Sequence, residues 1–140
     1  MGARSTAREA ALQMLYALEA GEGPAERVIR EYWREMPGDA KDRLYADAIV
    51  AGVARHLERL DERIGSASEN WRLERMTRVD RNVLRLATWE ILEQPDVPRA
   101  VLIDEAVEIA KRFGTAESGA FVNGVLTRVA DDAGRRDLDR

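Results

Sequence analysis

The side chains of this chain that most often carry catalysis are few and lie far apart in the sequence. Cysteine is absent from the 140 residues and the only histidine is His56, which excludes a thiolate nucleophile and leaves little scope for a catalytic triad. The acidic pairs Asp104-Glu105 and Asp131-Asp132 would point about 100° apart on a helix, as is typical of solvated charges. No glycine loop of the phosphate-binding kind follows a strand. We therefore expect no enzyme activity, no metal and no cofactor.

The stretch FGTAESGAFVNGVL, residues 113–126, poses a question of a different kind. It places Gly119, Phe121, Asn123 and Gly124 in or beside an apparent helix, although glycine in a helix interior costs about 1 kcal/mol relative to alanine. Something other than helix propensity must favour these residues.

The elements around these residues are predicted to be helices. The sequence Thr6-Ala7-Arg8-Glu9 reads as a capping box that starts a first helix, which stops before Gly21. Pro24 opens a second helix, and Met36-Pro37-Gly38 ends it. A third, long helix is predicted from one apolar stripe: Ile49, Val53, Leu57, Leu60 and Ile64.

The second half of the chain continues this pattern. Thr77 and Asp80 form another capping box, and that helix is expected to reach about Glu93. Its apolar face lies opposite three arginines, namely Arg78, Arg81 and Arg85. We expect these arginines to be solvated, with contact to RNA or a partner as the less favoured alternative. Two more helices follow Pro98. The prediction is an all-α fold, a compact bundle of six to seven helices, with one domain over residues 1–130 and a charged, frayed tail over 131–140.

The charge and hydropathy patterns limit the classes of function. The net charge of −4 argues weakly against nucleic-acid binding, and the arginine bias carries no functional information by itself. The start of the chain has no apolar core of signal-peptide length, and no run approaches the roughly 18 apolar residues of a membrane span. We expect a cytoplasmic protein.

Three blocks then carry a resemblance to a known family. VDRNVLRLATWEIL, DVPRAVLIDEAVEIAKRFG and FVNGVL occur in this order and resemble the NusB family of bacterial transcription antitermination factors. The opening ARSTAREAALQMLY is similar to the family's first helix. The resemblance covers about Arg4 to Val129. It implies an all-helical fold of two small packed bundles without enzymatic activity.

The resemblance also implies a function and partners. Members of the family bind the boxA element of nascent ribosomal RNA together with NusE, a protein of the small ribosomal subunit. That complex joins other Nus factors on RNA polymerase and supports processive transcription. The same fold is the front domain of some ribosomal-RNA methyltransferases, but 140 residues favour the free-standing factor.

Carried over residue by residue, the resemblance names a candidate RNA-binding site: Arg4, Ser5, Thr6, Arg8, Phe121 and Asn123. The leader has no acid before Glu9, but it has fewer arginines than many family members. Phe121 offers a stacking face if exposed and is a core residue if buried. Asn123 offers a hydrogen-bonding edge or bonds a neighbouring carbonyl. For Gly124, tight helix packing is favoured over close approach of RNA.

Two further residues, Tyr16 and Asp80, match positions that face NusE in the family. Asp80 also has a structural interpretation, as the closing member of a capping box worth about 1 kcal/mol. A rival to the RNA-binding hypothesis is a purely protein-binding helical adaptor, which suits the acidic net charge and the thin arginine cluster.

Overall fold

The computed structural model describes residues 4–69 and 71–136 of the chain. Within these ranges there are seven α-helices, one short 3₁₀ helix and no strand. The α-helices are α1 Ser5–Glu19, α2 Ala25–Glu35, α3 Ala40–Arg55, α4 Leu57–Ala67, α5 Arg78–Glu93, α6 Arg99–Phe113 and α7 Ser118–Asp132. The 3₁₀ helix, Leu73–Arg75, precedes α5. The chain divides into two compact units, Met1–His56 and Leu57–Arg140. The predicted all-α fold with two helical subdomains is confirmed.

The first unit is a three-helix arrangement in which α1 and α3 supply most of the core. α1 packs against α2 and α3, and α2 also packs against α3. Only Val28 of α2 is buried, whereas α1 and α3 bury many apolar side chains, among them Ala11, Leu12, Leu15, Ile49 and Val53. The Trp33 indole donates to Asp47 Oδ1 at 2.7 Å, which ties α2 to α3. As predicted, α2 begins after Pro24 and ends before Pro37.

The second unit is organised around α5, which packs against α4, α6 and α7. The helix begins where the sequence predicted, because the Thr77 hydroxyl accepts a hydrogen bond from the Asp80 N–H at 3.1 Å. It ends at Glu93, also as predicted. Burial extends around most of its circumference and includes the polar residues Asn82, Thr88 and Glu90. A helix buried on several sides is the expected centre of a bundle.

Two predicted helix boundaries in the first half are wrong. α1 starts at Ser5 with Arg4 as N-cap and has no side-chain cap, so the predicted capping box at Thr6 does not form. The long third helix is two helices, because His56 has left the helical conformation (φ −114°, ψ 23°) and serves as the C-cap of α3. Leu57, predicted on the apolar stripe, is therefore 38% exposed at the start of α4. The apolar period continues across the break, which is why the pattern did not reveal it.

The arginines on α5 also differ from expectation. Arg85 forms a bidentate ion pair with Asp61 of α4, in which Nε and Nη2 each donate to a carboxylate oxygen at 2.9 Å. Arg81 donates to the carbonyls of Leu73 and Met76 at 3.1 and 2.8 Å. These two side chains hold α4 and the segment before α5 in place, so the prediction that they are solvated is wrong. Arg78 is exposed, as predicted.

The C-terminal segment is also more closely built into the fold than the predicted frayed tail implies. α7 continues through Asp132, two residues into that segment. The Arg135 guanidinium donates to the carbonyls of Ile91 and Gln94 at 2.8 and 3.2 Å and also to Val97. It thereby satisfies carbonyls at the end of α5 and in the connector to α6. Residues 137–140 of the predicted tail lie outside the described residues.

Candidate nucleic-acid interface

The start of α1 carries three of the predicted RNA-binding residues. Arg4 and Thr6 are exposed and Ser5 is half-buried. Within the described part of the first unit, α1 starts without a side-chain cap and without an acidic residue in its first turn. The first N–H groups of a helix lack intrahelical partners and lie at the positive end of the helix dipole. This end of α1 is therefore suited to an anion such as a phosphate.

Arg8, the fourth predicted residue of this leader, lies in a different environment. It is only 3% exposed, which the resemblance that placed it in the RNA-binding site did not predict. Both leader arginines approach one aromatic ring, with the guanidinium carbon of Arg4 4.1 Å and that of Arg8 5.8 Å from the centroid of Tyr45 on α3. Of the two, Arg4 is the exposed cation at this surface.

Phe121 lies on α7 in the second unit and is neither a core residue nor fully exposed. Its ring packs edge to face with Trp71, at 6.4 Å between centroids and 66° between planes. Trp71 is 52% exposed. The two rings form a partly open aromatic pair, which is the kind of surface on which nucleobases stack.

The two neighbouring glycines have different explanations. A Cβ on Gly119 would lie 2.8 Å from Cγ of Lys111, so a side chain there would displace that lysine of α6. A Cβ on Gly124 would meet nothing within 4 Å, so the favoured packing interpretation of that residue is wrong. Asn123 is exposed beside it, and its backbone carbonyl accepts from the Thr127 hydroxyl at 2.8 Å. Asn123 and Gly124 are therefore both exposed on α7, with no neighbouring side chain against Gly124.

The predicted partner-binding residues lie one in each unit. Tyr16 is half-buried on α1. Asp80 is 8% exposed in the first turn of α5. Its backbone N–H makes the cap bond to Thr77, while its Oδ1 is buried without a hydrogen-bond partner in the described ranges. A buried carboxylate oxygen without a donor is costly, which favours a role beyond the cap.

Among residues 4–69 and 71–136, no group of His, Asp or Glu side chains is arranged to hold a metal ion. In the same ranges no helix is long and apolar enough to cross a lipid bilayer. Each unit carries its own candidate surface: in the first unit it is an exposed arginine at a positive helix end, and in the second unit it is an open aromatic pair near an exposed amide.

Two aromatic residues of this surface were missed by the sequence reasoning. Tyr45 lies far from Arg4 in the sequence and comes to it only through the packing of α1 on α3. Trp71 lies between two predicted helices, and it meets Phe121 within the second unit. Neither pairing has a local sequence signal.

The fold is that of an all-helical protein of two units, each of which carries one candidate binding surface. The model of the NusB family matches residues 5–131, and the chain belongs to the NusB family. It is 65% identical to the transcription antitermination protein NusB of Sorangium cellulosum, and the match covers all of both chains.

Solved structures agree with this assignment. NusB of T. maritima superposes with a TM-score of 0.85 at 39% identity, covering 94% of this chain and 92% of that one. A crystal structure of the antitermination factors NusB and NusE in complex with double-stranded RNA matches with a TM-score of 0.83 at 25% identity. That match covers 92% of this chain and 96% of the other. The resemblance drawn from the three sequence blocks is confirmed.

Proposed function

We propose that this chain is an RNA-binding transcription antitermination factor that acts with NusE on the boxA element of nascent ribosomal RNA. The observation that carries the proposal is the match over nearly the whole chain to a NusB structure that holds both NusE and RNA. The full-length identity of 65% to a transcription antitermination protein supports the same function. The proposal includes assembly with other Nus factors and RNA polymerase, a cytoplasmic location and no catalytic role.

The RNA contacts in this proposal fall into two groups. Arg4, Ser5 and Thr6 meet the phosphate backbone at the positive end of α1, which has no side-chain cap and no acidic residue in its first turn. Phe121 and Asn123 meet bases, the first by stacking and the second through its amide. Phosphate contacts position the RNA, and base contacts supply the specificity. Arg8 is the weakest member of the set, because its burial limits its reach.

The NusE contacts in the proposal are Tyr16 and Asp80. The unpartnered Oδ1 of Asp80 supports this role, since a donor from a partner would satisfy it. The desolvation cost of Asp80 on binding NusE would then be small, because its carboxylate is already buried and gives up little hydration.

A purely protein-binding adaptor is the second candidate. The burial of Arg8 favours it, because only one leader arginine is then exposed in a chain of net charge −4. The two functions differ in whether RNA binds at all. On the RNA-binding proposal, one exposed cation gives weak affinity alone and NusE completes the site.

Titration of a fluorescently labelled boxA RNA tests the proposal, first with the protein alone and then with NusE present, at low salt. We expect weak binding alone and clearly tighter binding with NusE. A scrambled RNA of equal length serves as the control for sequence specificity. Binding of NusE without any RNA binding in either titration would favour the adaptor.

A further inference from the structure

A surface groove runs between the start of α1 and the first half of α3, entirely within the first unit. Its lining residues, which we call the leader groove, are Arg4, Lys41, Asp42, Leu44, Tyr45 and Ala48. Only Arg4 of this set belongs to the predicted RNA site. The remaining five come from α3, which no feature of the sequence connected with RNA.

The contact between Arg4 and Tyr45 gives the leader groove its central feature. A guanidinium carbon 4.1 Å from the ring centroid is at stacking distance. A guanidinium stacked by its face keeps its N–H donors in the plane of the group, where they remain available to a bidentate acceptor. The ring also reduces the number of rotamers that Arg4 samples before binding, which lowers the entropy lost on contact. Tyr45 therefore restricts the positions that the Arg4 guanidinium samples.

A second cation lies in the same groove. Lys41 is exposed and precedes Tyr45 by four residues on α3, so the two side chains share one face of that helix. Asp42 adds one negative charge to the lining, and the exposed Leu44 adds an apolar surface. Arg4 and Lys41 together leave the groove with a net positive charge, although the chain as a whole is acidic.

We infer that the leader groove binds the sugar-phosphate backbone of single-stranded RNA, with Arg4 and Lys41 contacting phosphates and Tyr45 positioning Arg4. This inference rests on the proposed RNA-binding function and extends it to α3. RNA fits better than an acidic protein surface for two reasons. The planar fork of arginine matches a phosphate, and Arg4, which lines the groove, is also the N-cap at the positive end of α1. The two cations form a path along which a single strand passes from α1 onto α3.

The test measures binding of labelled single-stranded boxA RNA by the NusE-bound protein over a series of salt concentrations. Lys41→Gln should weaken binding and reduce the slope of log affinity against log salt by about 0.7, the value for one phosphate contact on a single strand. Arg30→Gln on α2, an exposed position outside the groove, is the charge-matched control and should leave the slope unchanged.

The role of Tyr45 is tested by a double-mutant cycle with Arg4. Tyr45→Ala should weaken RNA binding about two- to fivefold, the value of an exposed cation–π contact, and Tyr45→Phe should restore it. In an Arg4→Ala background, Tyr45→Ala should have no further effect, because the ring acts through Arg4. Equal losses in both backgrounds would overturn the positioning role. Thermal midpoints identify any variant that fails to fold, and Lys41→Gln still decides whether the groove binds RNA.

The outcomes separate this inference from the proposed function. Tight RNA binding by the wild-type complex together with an unchanged salt slope in Lys41→Gln would overturn the leader groove and leave the proposed function standing. Absence of RNA binding by the wild-type complex would overturn both. Loss of NusE affinity in Lys41→Gln, with RNA binding intact, would assign the groove to a protein partner and overturn the inference.

Discussion

Arginine has contrasting surroundings in the two units of this molecule. In the first unit, Arg4 is exposed at the uncapped start of α1 and rests on the ring of Tyr45. In the second unit, the donors of Arg85 are turned inward to both carboxylate oxygens of Asp61. The side chains of this second pair are only 13% and 29% exposed. One arginine is exposed beside an aromatic ring, and the other joins α5 to α4.

This difference shows that the surroundings of an arginine, and not its place in a sequence cluster, indicate its function. Arg81 and Arg85 lie close together in sequence and would pass for a basic patch, yet both donate to groups within the second unit. Arg4 and Arg8 also look equivalent in the sequence, but Arg8 is buried and Arg4 is exposed. A ligand-binding role is best assigned to cations whose donors stay accessible.

The largest expected effect is on folding stability and comes from removing the Arg85–Asp61 ion pair. Arg85→Ala should lower the free energy of unfolding by about 3 kcal/mol, because it leaves Asp61 partly buried without its partner. Denaturant unfolding measures this loss, with Arg78→Ala on the same helix as the exposed control. A loss no greater than that of Arg78→Ala would mean that the pair is not structural.

The next effect concerns the aromatic pair. Phe121→Ala should weaken RNA binding by about 1–3 kcal/mol, the value of one stacked base. Its cost in folding should stay below the roughly 3–5 kcal/mol of a core phenylalanine, since the ring is only half-buried. Fluorescence titration and denaturant unfolding of the same variant separate the two. Unchanged RNA affinity would remove Phe121 from the site.

A third prediction compares the contributions of Arg8 and Arg4 to folding stability. Arg8→Ala should cost about 1–2 kcal/mol of folding free energy, because a buried side chain and its polar contacts are lost. Arg4→Ala should cost less than about 0.5 kcal/mol, as is usual for an exposed position. Urea unfolding of the two variants under one set of conditions checks the ranking. Equal stability of both would contradict the burial of Arg8.

A smaller effect separates the two roles of Asp80. Asp80→Asn keeps the backbone N–H that bonds Thr77, so the thermal midpoint should change little, while NusE affinity should fall by about 1 kcal/mol. Thr77→Ala is the converse control and should cost about 1 kcal/mol of stability with NusE affinity unchanged. Calorimetric titration with NusE measures the affinities. A lowered midpoint with unaltered affinity would leave Asp80 a structural residue only.

The fold followed from the sequence wherever a local signal marked a boundary. Pro24, Pro37 and Thr77 each mark a helix end by a mechanism that acts within a few residues, and each prediction is confirmed. The break at His56 has no such mark, because residues 53–60 contain neither glycine nor proline and the apolar period continues in α4. The capping box at Thr6 failed because the helix had already begun at Ser5.

The candidate site was less accessible to sequence reasoning than the fold. Family resemblance named Arg4 and Phe121, but their neighbours Tyr45 and Trp71 come from distant segments that only tertiary packing brings near. The burial of Arg8 likewise depends on the packing of whole helices. Sequence patterns indicate which face of a helix is apolar, but they do not indicate which polar residues at its edge become covered.

The central claim is that an exposed arginine on α1 meets RNA while the inward-facing arginine of α5 does not. The most direct measurement is the salt dependence of boxA RNA binding by the NusE-bound wild-type protein, Arg4→Ala and Arg85→Ala. We expect Arg4→Ala to reduce the slope of log affinity against log salt by about 0.7, the value for one lost phosphate contact. Arg85→Ala, measured where it remains folded, should keep the wild-type slope. A wild-type slope in Arg4→Ala, or a reduced slope in Arg85→Ala, would contradict the account.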